Sequence, residues 1–263
     1  MKKKVVITVL CVMSCFMLAS CGKKGNEGKD PLTGEEQNQT EESSSTEELQ
    51  TGDNRDFDTV LSEASQPMEI MDYLNANLPN ASNEDTNRYL GGLLGFGNDV
   101  RDIDFTQLED SRQYMPEDMI AFMDLMKLEA ETPSMVMSTE ENRKVIGMTL
   151  SEMLERALLF EHHLEKYPDN VTTQAAYKLY EEIALNAISG GYDRENGIDN
   201  YYQGENADEV DQRSLEYYQK FAEANPDSRL GQVVSEYIAL LQSKNFRIDE
   251  DMEQFYRSIP LKL

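Results

Sequence analysis

Apolar residues recur at steps of three and four along most of the chain beyond Asp53, the period of helices that bury one face. The pattern is plainest between Ser138 and Pro168. Ile146, Leu150, Met153, Ala157, Phe160, Leu164 and Tyr167 form one stripe, and Leu154 and Leu158 widen it. Ser138-Thr139-Glu140-Glu141 has the spacing of a capping box, and Pro168 follows the stripe, so one helix is expected over 138–168. Similar reasoning predicts helices near 56–65, 67–77, 83–96, 116–130, 171–189, 207–224, 228–244 and 250–258. Ser82 with Glu84 and Asp85 opens the third of these, and Pro116 suits the first turn of the fourth. No stretch alternates as a strand should. The expected fold is all-α over 53–263, with helices stacked as hairpins in an irregular array.

The beginning of the chain is patterned differently. Lys2, Lys3 and Lys4 precede an apolar run from Val5 to Leu18 that is broken by Thr8 and Ser14. The run falls short of the roughly 20 residues that span a bilayer, so it reads as a targeting segment. It ends in Leu18-Ala19-Ser20-Cys21. This segment resembles the signal of the bacterial lipoprotein family, in which an aliphatic residue and two small ones precede a cysteine. The resemblance implies cleavage between Ser20 and Cys21, acylation of Cys21, and attachment to the outer face of the cell membrane through the lipid. More than one acyl chain makes such attachment stable. Residues 22–52 carry Leu32 and Leu49 as their only sizeable apolar side chains, so this stretch is expected to be a disordered acidic tether.

A weak internal repeat relates His163-Leu164-Glu165-Lys166-Tyr167-Pro168-Asp169-Asn170 to Phe221-Ala222-Glu223-Ala224-Asn225-Pro226-Asp227-Ser228, an offset of 58. Both read as helix ends followed by a Pro-Asp turn, with Asn170 or Ser228 available to cap the next helix. Residues 215–226 are similar to the second helix of a tetratricopeptide repeat, Phe160 and Tyr218 holding the aromatic position. That family's small residue five before the proline is His163 or Phe221 here, and its 34-residue period is absent. The resemblance therefore implies stacked helix pairs, not a member of that family.

Charge narrows the functional classes. Lys and Arg number 24 against 50 Asp and Glu, a net −26, which disfavours nucleic acid as a partner. Removal of residues 1–20 takes Lys2, Lys3 and Lys4, leaving 24 − 3 = 21 basic residues and a net −29. Cys11 and Cys15 leave with that segment and Cys21 is acylated, so no thiol remains for a disulfide, metal or nucleophile. His162 and His163 are adjacent, diverge by about 100° on a helix, and cannot chelate one ion together. Glu161 and Glu165 share a helical face with the spacing of two ligands, although a charged helix flank explains them more simply.

Met115, Met119, Met123 and Met126 line one helical face, where thioethers could serve Cu(I) or a greasy groove but a core stripe explains the spacing more simply. Gly91 and Gly95 suggest close helix contact, followed by a glycine cap. The most distinctive surface feature is the long segment 190–202, where Tyr192, Asp193, Glu195, Asp199, Tyr201 and Tyr202 stand together. Clustered oxygens suit Ca²⁺, and tyrosines beside carboxylates suit a sugar, whereas a packed loop covering helix ends accounts for the same residues. No catalytic residue, metal site or cofactor is assigned. The expected role is a non-enzymatic protein- or peptide-interaction module. Alternatives are a lipoprotein that binds a glycan, cation or apolar ligand, or a cell-wall hydrolase using acidic residues alone.

Overall fold

A computed structural model describes residues 55–205 and 208–263. The signal segment 1–20, Ser20 and Cys21 at its cleavage point, and the tether 21–52 lie outside the described residues. Within them the chain is mostly helical, as the pattern predicts. In order come α1 (Phe57–Glu63), α2 (Pro67–Asn77), α3 (Asn83–Leu94) and α4 (Glu117–Glu131). A β-hairpin follows, β1 (Met135–Ser138) with β2 (Arg143–Ile146). Then come α5 (Leu150–Lys166), α6 (Thr173–Ser189), α7 (Gln212–Ala224), α8 (Arg229–Ser243) and α9 (Glu250–Lys262). Short 3₁₀ segments at Leu78–Asn80, Val100–Asp102 and Phe105–Tyr114 fill the connections, the last two between α3 and α4. Among the described residues no helix is long and apolar enough to cross a membrane.

Several helix starts follow from their first residues. Asp56, Ser82, Asp211, Ser228 and Asp249 each accept a backbone N–H from the first turn they precede. Pro67 stands at the first position of α2. One core cluster runs from Phe57 to Ile259. Near its start Phe57, Tyr73 and Tyr89 pack as an aromatic trio with ring centroids 4.7–5.4 Å apart. The close helix approach falls at Gly92 and not at Gly91 or Gly95, because a Cβ on Gly92 would lie 2.6 Å from Phe57 Cζ.

The expected helix over 138–168 needs correction. Its first part is the hairpin, in which Met135 pairs with Ile146 and Ser138 with Arg143. Val136, Val145 and Ile146 favour extended backbone, and Asn142 turns the chain with φ of +49°. The Ser138 hydroxyl does accept the Glu141 N–H, at 3.2 Å, but the bond closes the hairpin turn. The capping box sits eleven residues later. Thr149 Oγ1 accepts the Glu152 N–H while Glu152 reaches back to the Thr149 N–H at 2.8 Å. The apolar stripe from Leu150 onward is buried as expected through Phe160.

The most extensive helix contacts join α5 to α6 and α7 to α8, giving two helical hairpins. Their turns carry the repeated sequence. Tyr167 and Asn225 end α5 and α7 with nearly equal backbone angles, φ −127° and −128°, ψ 61° and 52°. The second halves of the two turns differ. Ser228 caps α8 through the Gly231 N–H at 2.8 Å, whereas Thr172 precedes α6 and the Asn170 side chain does not cap it.

Candidate functional site

The four methionines of the α4 region are core residues. Met115, Met119, Met123 and Met126 are all buried, so this face is not open as a groove. Glu161 is buried as well, and its carboxylate accepts the Arg229 and Leu230 N–H groups at 2.6 and 2.9 Å and the Tyr180 hydroxyl at 2.6 Å. It is a structural acceptor at the N-terminus of α8. His163 is buried while His162 faces solvent, and His163 Nε2 lies 2.9 Å from Thr172 Oγ1.

The segment after α6 is tightly built. Gly190 ends α6 with φ of +60°, and a Cβ there would lie 2.1 Å from Asn200 Oδ1, so only glycine fits. The Tyr201 N–H donates to the Gly190 carbonyl at 2.9 Å. Asp193 and Ile198 exchange backbone hydrogen bonds of 3.0 and 2.7 Å. The Asn196 side-chain amide donates to the Asp193 carboxylate at 2.6 Å and its backbone N–H at 3.2 Å, which hold that carboxyl below its ordinary range. Glu195 pairs with Arg257 at 3.3 Å. The Tyr192 hydroxyl donates to Glu253 at 3.4 Å, and Tyr202 is buried edge-on to Tyr218. Tyr201 is 67% exposed, and Asp199 is exposed beside it. The six residues thus divide between the core, separate ion pairs and the surface. Among the described residues no group of three or more His, Cys, Asp or Glu side chains is placed to hold a metal ion.

What Asp193, Asp199 and Tyr201 do share is one wall of a groove that the sequence reading missed. Its floor is α6, where Gln174, Lys178, Glu182 and Asn186 recur every four residues and so lie on one face. Two cavities lie in line along this face. The first, of about 410 Å³, is bounded by Gln174, Lys178 and Glu182 of α6 and by the chain from Gly91 to Val100. The second, of about 380 Å³, is bounded by Asn186 and Gly190, by β2, and by Asp193, Asp199 and Tyr201. From Gln174 to Gly190 the floor extends about 24 Å.

Lys144 of β2 lines both cavities. Its ammonium pairs with Asp99 and lies 3.9 Å from Glu182, so it crosses the groove as a bar. Arg101 fastens the same carboxylates from beneath, reaching Asp99 at 3.0 Å, Glu182 at 2.7 Å and Glu129 at 3.3 Å. Burial disfavours the Arg101 guanidinium charge, but Glu182, Asp99 and Glu129 outweigh it and raise its pKa. Burial likewise opposes the Asp99 charge, and Lys144 and Arg101 together hold that carboxyl below its usual range. Glu129 continues the network inward, accepting from Arg156 and from the Ser134 N–H at 3.0 Å. The hairpin is therefore tied at its base through Glu129 and near its tip through Lys144.

The helical period of Gln174, Lys178, Glu182 and Asn186, in the row next to Ala175, Leu179 and Ile183, was visible in the sequence. The part played by Asp99, Arg101 and Lys144 was not, because they come from separate segments. Compared with known proteins, the chain matches no family model, no curated protein and no solved structure.

Proposed function

We propose that this chain is a lipoprotein held at the outer face of the cell membrane through Cys21, whose helical body is a non-enzymatic binding module for a protein or peptide partner. The observation that carries the second part is the groove: two cavities in line on α6, polar along the floor and sharing Lys144. A length of about 24 Å accommodates roughly seven residues of extended chain. The carboxylates that line the first cavity, Asp99 and Glu182, are engaged by Arg101 and Lys144. That commitment to ion pairs supports a recognition surface over acid–base chemistry at this place.

Photo-crosslinking on intact cells tests the module. A benzophenone side chain at Asn186 or Tyr201 should give a discrete adduct that the same group at Lys220, which lines neither cavity, does not give. Equal and diffuse labelling from all three positions would overturn the reading. The anchor is tested by Cys21→Ser, expected to release the protein from membranes or block its processing. A membrane-bound variant that still incorporates fatty acid would refute it.

A further inference from the structure

We infer that the first cavity, between α3 and α6, is a receptor for a single carboxylate carried on an apolar body. This rests on the groove reading above and names what one end of the groove holds. Asp99 and Glu182 each pair with both Arg101 and Lys144, so neither is free to attract a cation. Lys178 lines the same cavity and makes no ion pair or hydrogen bond among the described residues. Gln174 lies one turn before it on the same face of α6, and Asn98 stands on the facing wall, both with unengaged amides among the described residues. The groups there without a protein partner are one cation and two amides, all three exposed to solvent. An oxyanion satisfies all three.

Two further features set the class of anion. Leu94, Phe96, Val100, Val171 and Leu179 supply apolar wall, which suits an aliphatic body beside the charge. The C-terminal end of α3 also borders the cavity, with Gly95 as its cap. Its partial negative charge opposes anions and doubly so a dianion, so one ammonium matches a carboxylate better than a phosphate. At net −26 the chain as a whole repels anions, and retention has to come from these local donors. A carboxylate on an apolar body is the shared chemistry of a polypeptide C-terminus and a free aliphatic acid.

Saturation-transfer NMR on the full chain tests the assignment with four probes: N-acetyl-leucine, N-acetyl-leucinamide, hexanoate and phenyl phosphate. We expect saturable binding of at least one of the two carboxylates, and the tighter of them distinguishes a peptide end from a free acid. Lys178→Gln should weaken that binding about tenfold or more, the loss of one charge-assisted hydrogen bond. Lys127→Gln, the same change of charge at a residue that lines neither cavity, should leave it unchanged. Lys178 is exposed, so the variant is expected to keep the parent's melting curve. The inference falls if leucinamide binds as well as the acid, if Lys178→Gln has no effect, or if phenyl phosphate displaces both carboxylates. Loss of carboxylate binding with crosslinks from Tyr201 intact overturns this inference alone. Loss of both overturns the groove itself.

Discussion

Glu161 shows why a residue's chemistry cannot be read from its helix alone. The sequence puts it on the same flank as Glu165, but its partners lie 68 and 69 positions away, at the start of α8. Its carboxylate serves two backbone donors and a tyrosine hydroxyl, and an amide has one acceptor oxygen and two hydrogens to place. Glu161→Gln should therefore cost about 2–3 kcal/mol, against about 1 kcal/mol for Tyr180→Phe. Urea unfolding checks this, and equal midpoints for Glu161→Gln and the parent would refute it. The divergence of the adjacent histidines, by contrast, was legible as pure helix geometry, but which of them is buried was not: His163 lies inside and His162 outside. Burial lowers the pKa of His163, Lys166 adds to the effect, and Asp118 opposes it. A base with a lowered folded pKa stabilises above its unfolded value near 6.5, and that stability is lost as pH falls through the folded value. His163→Gln, which can keep a bond to Thr172, should flatten the fall in melting temperature below about pH 6.5. An unchanged slope would show that other groups govern it.

At the scale of elements, the pattern located most of the helices because their first residues act locally. Pro67, Ser82 and Ser228 need no distant partner to start a helix. The hairpin escaped for a related reason. Ser138-x-x-Glu141 and Thr149-x-x-Glu152 offer the same local bond, and only tertiary ties decide which one begins a helix. Those ties are the Glu129 network at the hairpin base and the Lys144 bar near its tip. Gly147 closes the base, its N–H donating to the Ser134 carbonyl at 2.8 Å. A Cβ there would lie 2.5 Å from the Pro133 carbonyl oxygen and 2.9 Å from Val136 Cγ1. Gly147→Ala should consequently cost about 1–3 kcal/mol and displace the hairpin. Lys144→Ala, which removes a pair whose lysine side chain is 42% exposed, should cost no more than about 1 kcal/mol. Denaturant midpoints of the two variants decide it, and a larger loss for Lys144→Ala would place the hairpin's hold at its tip.

The molecule as a whole uses tyrosine where many cores use tryptophan, with 13 Tyr and no Trp. Tyr180, Tyr218 and Tyr237 are among its largest fully buried side chains. Tyr218 donates to the Ala187 carbonyl at 2.7 Å, and Tyr237 and Tyr256 share a hydrogen bond of 3.1 Å. This network joins the end of α6 to α7, α8 and α9, which no periodicity reveals because the hydroxyls meet groups from separate helices. Burial raises the pKa of these phenols, Tyr73 and Tyr256 to about 12 and Tyr180, Tyr202, Tyr218 and Tyr237 further. The unfolded value is near 10. A group whose folded pKa is raised contributes stability that is complete below the unfolded value and is lost as pH climbs toward the folded one. Each phenol ionised in the unfolded state also adds to a chain already at −26, strengthening the self-repulsion. Unfolding is accordingly expected between about pH 10 and 12, as one cooperative step in which helical ellipticity falls while the buried tyrosines ionise. Added salt should move that midpoint upward by screening the repulsion. Phenolate absorbance rising to completion near pH 10 with helicity intact would show that the tyrosines are open to solvent, and the packing of α6 to α9 described above would be wrong.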